Sequence, residues 1–217
     1  MYTSFTTLIA ASAAFVSVGA IPARRSQSAS ITPHDKYSSS IGVPGCKINT
    51  NRVAYWPGSV DCDNICVKVT KDGRSLHLLR IDSSAGAYDI SYDAWNYLAF
   101  GSSAEDDPQM GGGVPMEYEY VDNEDCSDLL DDGKLPLSAA NSMNYAASCL
   151  GDSWVGKNHK LVNIQDSACR YGKDEECSLD LAVSNQPSCP STLGNMDELD
   201  MPVMDIAYGT GEKVQAL

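Results

Sequence analysis

The sequence predicts a mainly β domain, stapled by disulfides and made for export. Three observations carry that expectation. Short runs alternate apolar with polar residues, glycine-bearing turns separate them, and eight cysteines all follow an apolar N-terminal stretch. Val67 and Val69 alternate with Lys68 and Thr70, and Leu76, Leu78 and Arg80 alternate with His77, Leu79 and Ile81. The Lys71-Asp72-Gly73 turn between them makes the pair a hairpin. Residues 116–121 alternate Met116, Tyr118 and Tyr120 with Glu117 and Glu119, which is the pattern of a half-exposed strand.

Helical spacing is expected at two places. Over residues 91–99, Ser91 stands as N-cap and Asp93 in the first turn, with Tyr92, Trp95 and Leu98 on one face. Over residues 134–150, Leu137, Met143, Ala147 and Leu150 form an inner side. Gly111, Gly112 and Gly113 mark a loop. Residues 151–190 read as loops held by cysteines, and residues 191–217 as an acidic, disordered tail. There is no internal repeat.

The N-terminus sets the expected compartment. Residues 7–20 are uncharged and apolar, too short to span a bilayer, and close on Val18, Gly19 and Ala20 as a signal peptide does. A signal peptide over residues 1–20 is therefore expected, although no Lys or Arg precedes the run. A buried helix of the mature fold is the competing use. Residues 21–44 then form a flexible leader in which Arg24-Arg25 is either a dibasic processing site or a pair of solvated charges.

Cys46, Cys62, Cys66, Cys126, Cys149, Cys169, Cys177 and Cys189 make an even set, which in an exported chain argues for four disulfides. Their clustering suggests that the first four pair among themselves and the last four likewise. Zinc is the competing use of Cys62 and Cys66, but no second close pair or histidine partner completes a site. No metal and no cofactor are expected. The net charge of -14 repels phosphate backbones and anionic lipid, so neither nucleic acid nor a membrane surface is an expected partner. No Asn-x-Ser/Thr triplet offers a site for asparagine-linked sugar.

Residues 45–126 resemble the double-psi β-barrel of barwin-like proteins, expansin N-terminal domains, RlpA-like proteins and family-45 endoglucanases. The resembling pieces follow one another in order. Residues 52–58 resemble the opening strand, with Tyr55 and Trp56 as its aromatic pair, and residues 66–70 resemble a Cys-x-x-Val-Thr strand. Residues 79–82 resemble a strand ending in Asp, and residues 88–95 the segment leading into the barrel's helix. Residues 113–122, ending near Cys126, resemble the closing strand. The resemblance implies a six-stranded barrel over 45–126; residues 127–190, read as a cysteine-rich helical and loop extension, resemble no second domain. It also suggests a fungal secreted protein.

In the hydrolytic relatives, the position matching Asp89 is the general acid, and a second carboxylate, here Asp82, would serve as base. Capping of turns and tethering of the helix approach are the structural uses of the same two residues. Ala54 and Trp56 stand where those relatives place a hydroxyl residue and a tyrosine, which counts against hydrolysis. Tyr55, Trp56 and Tyr88 come from segments bordering the family's groove and are the expected carbohydrate-binding residues, able to stack on sugar faces. Tyr92 and Trp95 read as core. The leading expectation is a monomeric, secreted, non-hydrolytic protein that binds or modifies cell-wall polysaccharide. The alternatives are an effector, elicitor or inhibitor acting on a host extracellular protein, and a glycoside hydrolase using Asp82 and Asp89.

Overall fold

The computed structural model describes residues 25–217. The expected signal peptide over residues 1–20, and Arg24 of the dibasic pair, lie outside the described residues. Six strands close into a barrel: β1 (Gln27–His34), β2 (Val53–Pro57), β3 (Cys66–Lys71), β4 (Arg74–Ser84), β5 (Tyr88–Ser91) and β6 (Val114–Tyr120). Their order around the ring is β1-β5-β2-β4-β3-β6, with β6 pairing back to β1. β1 runs parallel to β5 and β2 parallel to β4, while the other neighbours are antiparallel. Exchanging β1 with β4, β2 with β5 and β3 with β6 leaves this ring and its strand directions unchanged. β5 sits between β1 and β2, and β2 sits between β5 and β4, so two chain connections cross. That is the double-psi β-barrel.

The strand β1 corrects the expected organisation, because it lies inside the segment read as a flexible leader. Its Ser-rich sequence hides the pattern, but it pairs with β5 from Ile31 to His34 and with β6 from Gln27 to Ile31. Residues 52–58 are therefore the second strand and not the opening one. The hairpin forms where expected: Asp72 and Gly73 both take positive φ, 48° and 81°, as a two-residue hairpin turn requires. Helix α1 (Tyr92–Phe100) also forms as expected, and ends on Gly101 in the left-handed region. Ser91 precedes it but spends its hydroxyl elsewhere, accepting the Val53 N–H at 3.2 Å.

Residues from all six strands (Ile31, Ala54, Trp56, Val67, Val69, Leu78, Ile90, Met116, Tyr118) form one buried cluster with Tyr92, Trp95 and Leu98 of α1. A cluster shared by all six strands is the barrel interior. The opposite faces of β2, β3 and β4 contribute Val53, Tyr55, Cys66, Leu79 and Ile81 to a second cluster outside the barrel. Covering it is the extension, with Leu130, Leu135, Leu137, Ala146, Val155 and Leu161.

The extension carries more strand than its sequence suggests. β7 (Leu135–Ser138), β8 (His159–Ile164) and β9 (Gly172–Cys177) form a three-stranded sheet, with short helices α2 (Met143–Ser148) and α3 (Trp154–Lys157). The helix expected over 134–150 is thus confined to Met143–Ser148. Residues 135–138 pair in parallel with β8 instead, and Pro136 is tolerated there because β7 is an edge strand. The C-terminal segment is likewise ordered, as the hairpin β10 (Met204–Ile206) and β11 (Lys213–Gln215), with Val203, Ile206 and Ala216 buried.

All eight cysteines are paired, as Cys46–Cys169, Cys62–Cys149, Cys66–Cys126 and Cys177–Cys189. The expected division into a first and a last four fails, since two bridges join the barrel side to the extension. Such bridges persist in oxidising compartments. Among the described residues no helix is long and apolar enough to cross a membrane.

Replacing Cys46 and Cys169 together by serine opens a closure of 123 residues in sequence, shortened in effect by Cys62–Cys149. Urea denaturation is expected to show a loss of about 4 kcal/mol, against about 3 kcal/mol for the Cys177–Cys189 pair.

Candidate functional site

Tyr55 on β2 stands in register with Asp82 of β4 on one side and Asp89 of β5 on the other. The two carboxylates expected to do chemistry thus flank one tyrosine, with backbones two strand spacings (about 9.5 Å) apart. The connection from β1 to β2 runs past the end of β4 and takes up the Asp82 carboxylate. Ser38 Oγ donates to it at 2.6 Å, Ser40 N at 2.9 Å and Ser83 N at 2.7 Å. Asp82 is 8 % exposed, and its oxygens are turned into a turn cap. Asp89 accepts the Thr32 hydroxyl from the neighbouring strand. Between them Tyr55 is buried, and the His34 ring packs on it at 4.4 Å between centroids. Burial, then the Asp82 and Asp205 charges, push its phenol far above the ordinary range.

Beside Tyr55 lies a small cleft bounded by His34, Tyr37, Tyr92 and Asp205, with room for one water molecule, about 10 Å³. The β10–β11 hairpin closes it. Asp205 accepts the Tyr37 N–H at 2.9 Å, Gly209 N donates to Tyr92 Oη, and the Tyr208 hydroxyl bonds to both N and O of Gly111. A sugar ring has no space here.

A different end of the barrel presents aromatic rings. Trp56 meets Tyr118, Tyr88 and Tyr120 edge-on, at centroid distances of 4.6, 5.3 and 6.0 Å. Trp56 is 1 % exposed and Tyr55 4 %, so neither presents a ring face to solvent, and the expectation that they stack on sugar is corrected. The reason is that both faces of β2 are covered. Tyr88 and Tyr120 are only half-buried at the rim. Hydroxyl contacts tie the rim together: Tyr118 Oη donates to Gln27 Oε1 at 3.0 Å and lies 3.3 Å from Tyr88 Oη.

Arg80 holds this mouth from below. Its Nη2 donates to the carbonyls of Pro57, Gly58 and Ser59 at 2.9–3.1 Å, and Nη1 to Tyr120 Oη at 3.1 Å. No carboxylate bridges to it among the described residues. Arg80 Nε and Trp56 Nε1 are buried without a hydrogen-bond partner. Burial raises the Tyr118 and Tyr120 phenols, so both hydroxyls keep their protons at neutral pH. Tyr118, Tyr120, Arg80 and Gln27 were not singled out from the sequence. A signal existed for three of them: Tyr118 and Tyr120 share the period-two face of Met116, and Arg80 that of Leu76 and Leu78. Among the described residues no three His, Cys, Asp or Glu side chains gather to hold a metal.

The Asp205 carboxyl is raised above its ordinary value, chiefly by burial. Its charged form is therefore disfavoured by the fold, a cost present at neutral pH and relieved as pH falls through its folded value. Asp205→Asn keeps the acceptor for Tyr37 and should match or exceed the native denaturation midpoint at pH 7. The difference should vanish below the usual carboxylate range, where both forms are neutral.

No family model and no curated protein matches this chain. Two solved structures are similar to part of this chain. Cerato-platanin 3 from M. perniciosa is 12 % identical, covering 46 % of this chain and 98 % of its own, with a TM-score of 0.35. The solution structure of the fungal elicitor Cerato-Platanin is 20 % identical, covering 45 % and 96 %, with a TM-score of 0.30. The ring order of the six strands, and not these overlaps, establishes the double-psi barrel here, and more than half of this chain lies outside either match.

Proposed function

We propose that this chain is a secreted, monomeric protein that binds cell-wall polysaccharide without hydrolysing it, through the aromatic mouth of its barrel. The observation that carries this reading is the pair of half-buried rings, Tyr88 and Tyr120, seated on a buried support of Trp56, Tyr118 and Arg80. A rigid ring loses little entropy on contact and offers a flat face to the apolar side of a sugar. Gln27, anchored by Tyr118, adds an amide at the rim for sugar hydroxyls. Of the residues expected to contact sugar, Tyr88 remains in this role, and Tyr120 joins it.

Hydrolysis is disfavoured by the bonding of the carboxylates. A general acid must deliver a proton to the leaving oxygen, and its partner must hold a water. Asp82 spends its oxygens on two backbone amides and a serine hydroxyl, and the pair is separated by buried Tyr55. Four disulfides and the acidic surface suit an extracellular life.

Co-sedimentation with insoluble chitin, cellulose and β-1,3-glucan tests the reading. Retention on at least one polymer is expected, weakened about fivefold by Tyr88→Ala and by Tyr120→Ala at unchanged thermal stability. Absence of retention on all three overturns it. Release of reducing ends by the native protein, abolished in Asp89→Asn, would restore the hydrolytic alternative.

A further inference from the structure

The extension carries a second surface, remote in sequence from the barrel mouth. An open groove of about 330 Å³ runs between the start of β8 and the end of β9, lined by Leu150, Leu161, Leu179 and Leu181. Leu161 and Cys177 are its buried floor. Leu150 and Leu181 stand on its walls, 36 % and 47 % exposed, where water contact is unfavourable. The Cys62–Cys149 and Cys177–Cys189 bridges fix both walls next to these leucines.

The charges at the rim are unbalanced. Lys160 also lines the groove, but its ammonium is committed to Asp132 at 2.7 Å. Glu176 and Asp180 are exposed, and among the described residues no Lys or Arg bridges either carboxylate. The Asp180 carboxylate accepts a local backbone amide, that of Ala182. His159 is held by its ring nitrogen, 2.8 Å from the Val155 carbonyl.

We propose that this groove docks a short basic segment of another extracellular protein, with an apolar anchor side chain between Leu150 and Leu181 and a lysine or arginine facing Glu176 and Asp180. Other occupants fit less well. A small apolar molecule leaves both carboxylates unanswered. A second copy of the chain brings its own net charge of -14 against this one, and an anionic lipid surface is repelled for the same reason. A basic amphipathic segment meets the leucines and the carboxylates together. The inference does not rest on the sugar-binding reading, since no residue is shared between the two surfaces.

Amide NMR titration of the full mature chain tests it with a capped five-residue peptide alternating lysine with leucine and phenylalanine. Shifts are expected to concentrate at residues 150, 159–161 and 176–181. Leu181→Ser, at an exposed position, should weaken binding about tenfold. Glu176→Gln with Asp180→Asn should weaken it roughly two- to fivefold and reduce its salt dependence. Three outcomes overturn the proposal: equal binding of the glutamate-for-lysine peptide, shifts centred elsewhere, or concentration-dependent self-association through Leu150 and Leu181 without peptide. Polymer retention by the same Leu181→Ser variant should be unchanged, which keeps failure here distinct from failure at the barrel mouth.

Discussion

Strand β2 is buried on both faces, and the rest of the molecule is arranged to satisfy that constraint. Ala54 and Trp56 point into the barrel, while Val53 and Tyr55 point out, and all four are nearly inaccessible. A strand of a small barrel ordinarily shows one face to solvent, with polar residues alternating along it. Here the outward face needs a cover of its own, and the extension supplies it with Leu135, Leu137 and Leu161. Buried apolar area of this kind contributes about 25 cal/mol per Å², so the barrel and its cover stabilise each other. The two bridges that join them, Cys46–Cys169 and Cys62–Cys149, lower the entropy of the unfolded chain on top of that.

The same constraint shapes the chemistry. In the outward row Tyr55 and Asp82 are buried while Thr32 and Asp89 are half-buried, and hydroxyl and amide donors engage both carboxylates. The inward row ends at a mouth where Trp56 supports Tyr88 and Tyr120. Arg80 is a buried cation balanced by three carbonyl oxygens and a phenol instead of a carboxylate, which fixes the turn after β2 against β4. Burying a charge this way is tolerable only because each acceptor lies within hydrogen-bond distance.

Local signals in the sequence were legible where neighbours in the chain are neighbours in space. The β3–β4 hairpin, α1 and β6 follow from an Asp-Gly turn, a Tyr92, Trp95 and Leu98 stripe, and the alternation from Met116 to Tyr120. What escaped depends on distant partners. β1 is a strand because β5 and β6 lie beside it, while its own Ser28, Ser30 and Thr32 resemble a leader. Cysteine order along the chain carried no information on pairing, since the extension folds back over the barrel. The leucines near Pro136 fit helical spacing but are also spaced for a strand, and pairing with the distant β8 decides between them. At the site, burial separated Tyr88 from Tyr55 and Trp56, a distinction that residue type alone does not contain.

If β2 is the shared element of barrel and extension, the two unfold as one unit. Native-state hydrogen exchange measures this directly through the opening free energies of amides in β2 and in β8. The account predicts that the Tyr55 and Leu161 amides open together, with the same free energy and the same denaturant dependence. Exchange at Leu161 through a much cheaper opening, with Tyr55 still protected, would contradict it and make the extension a separable appendage.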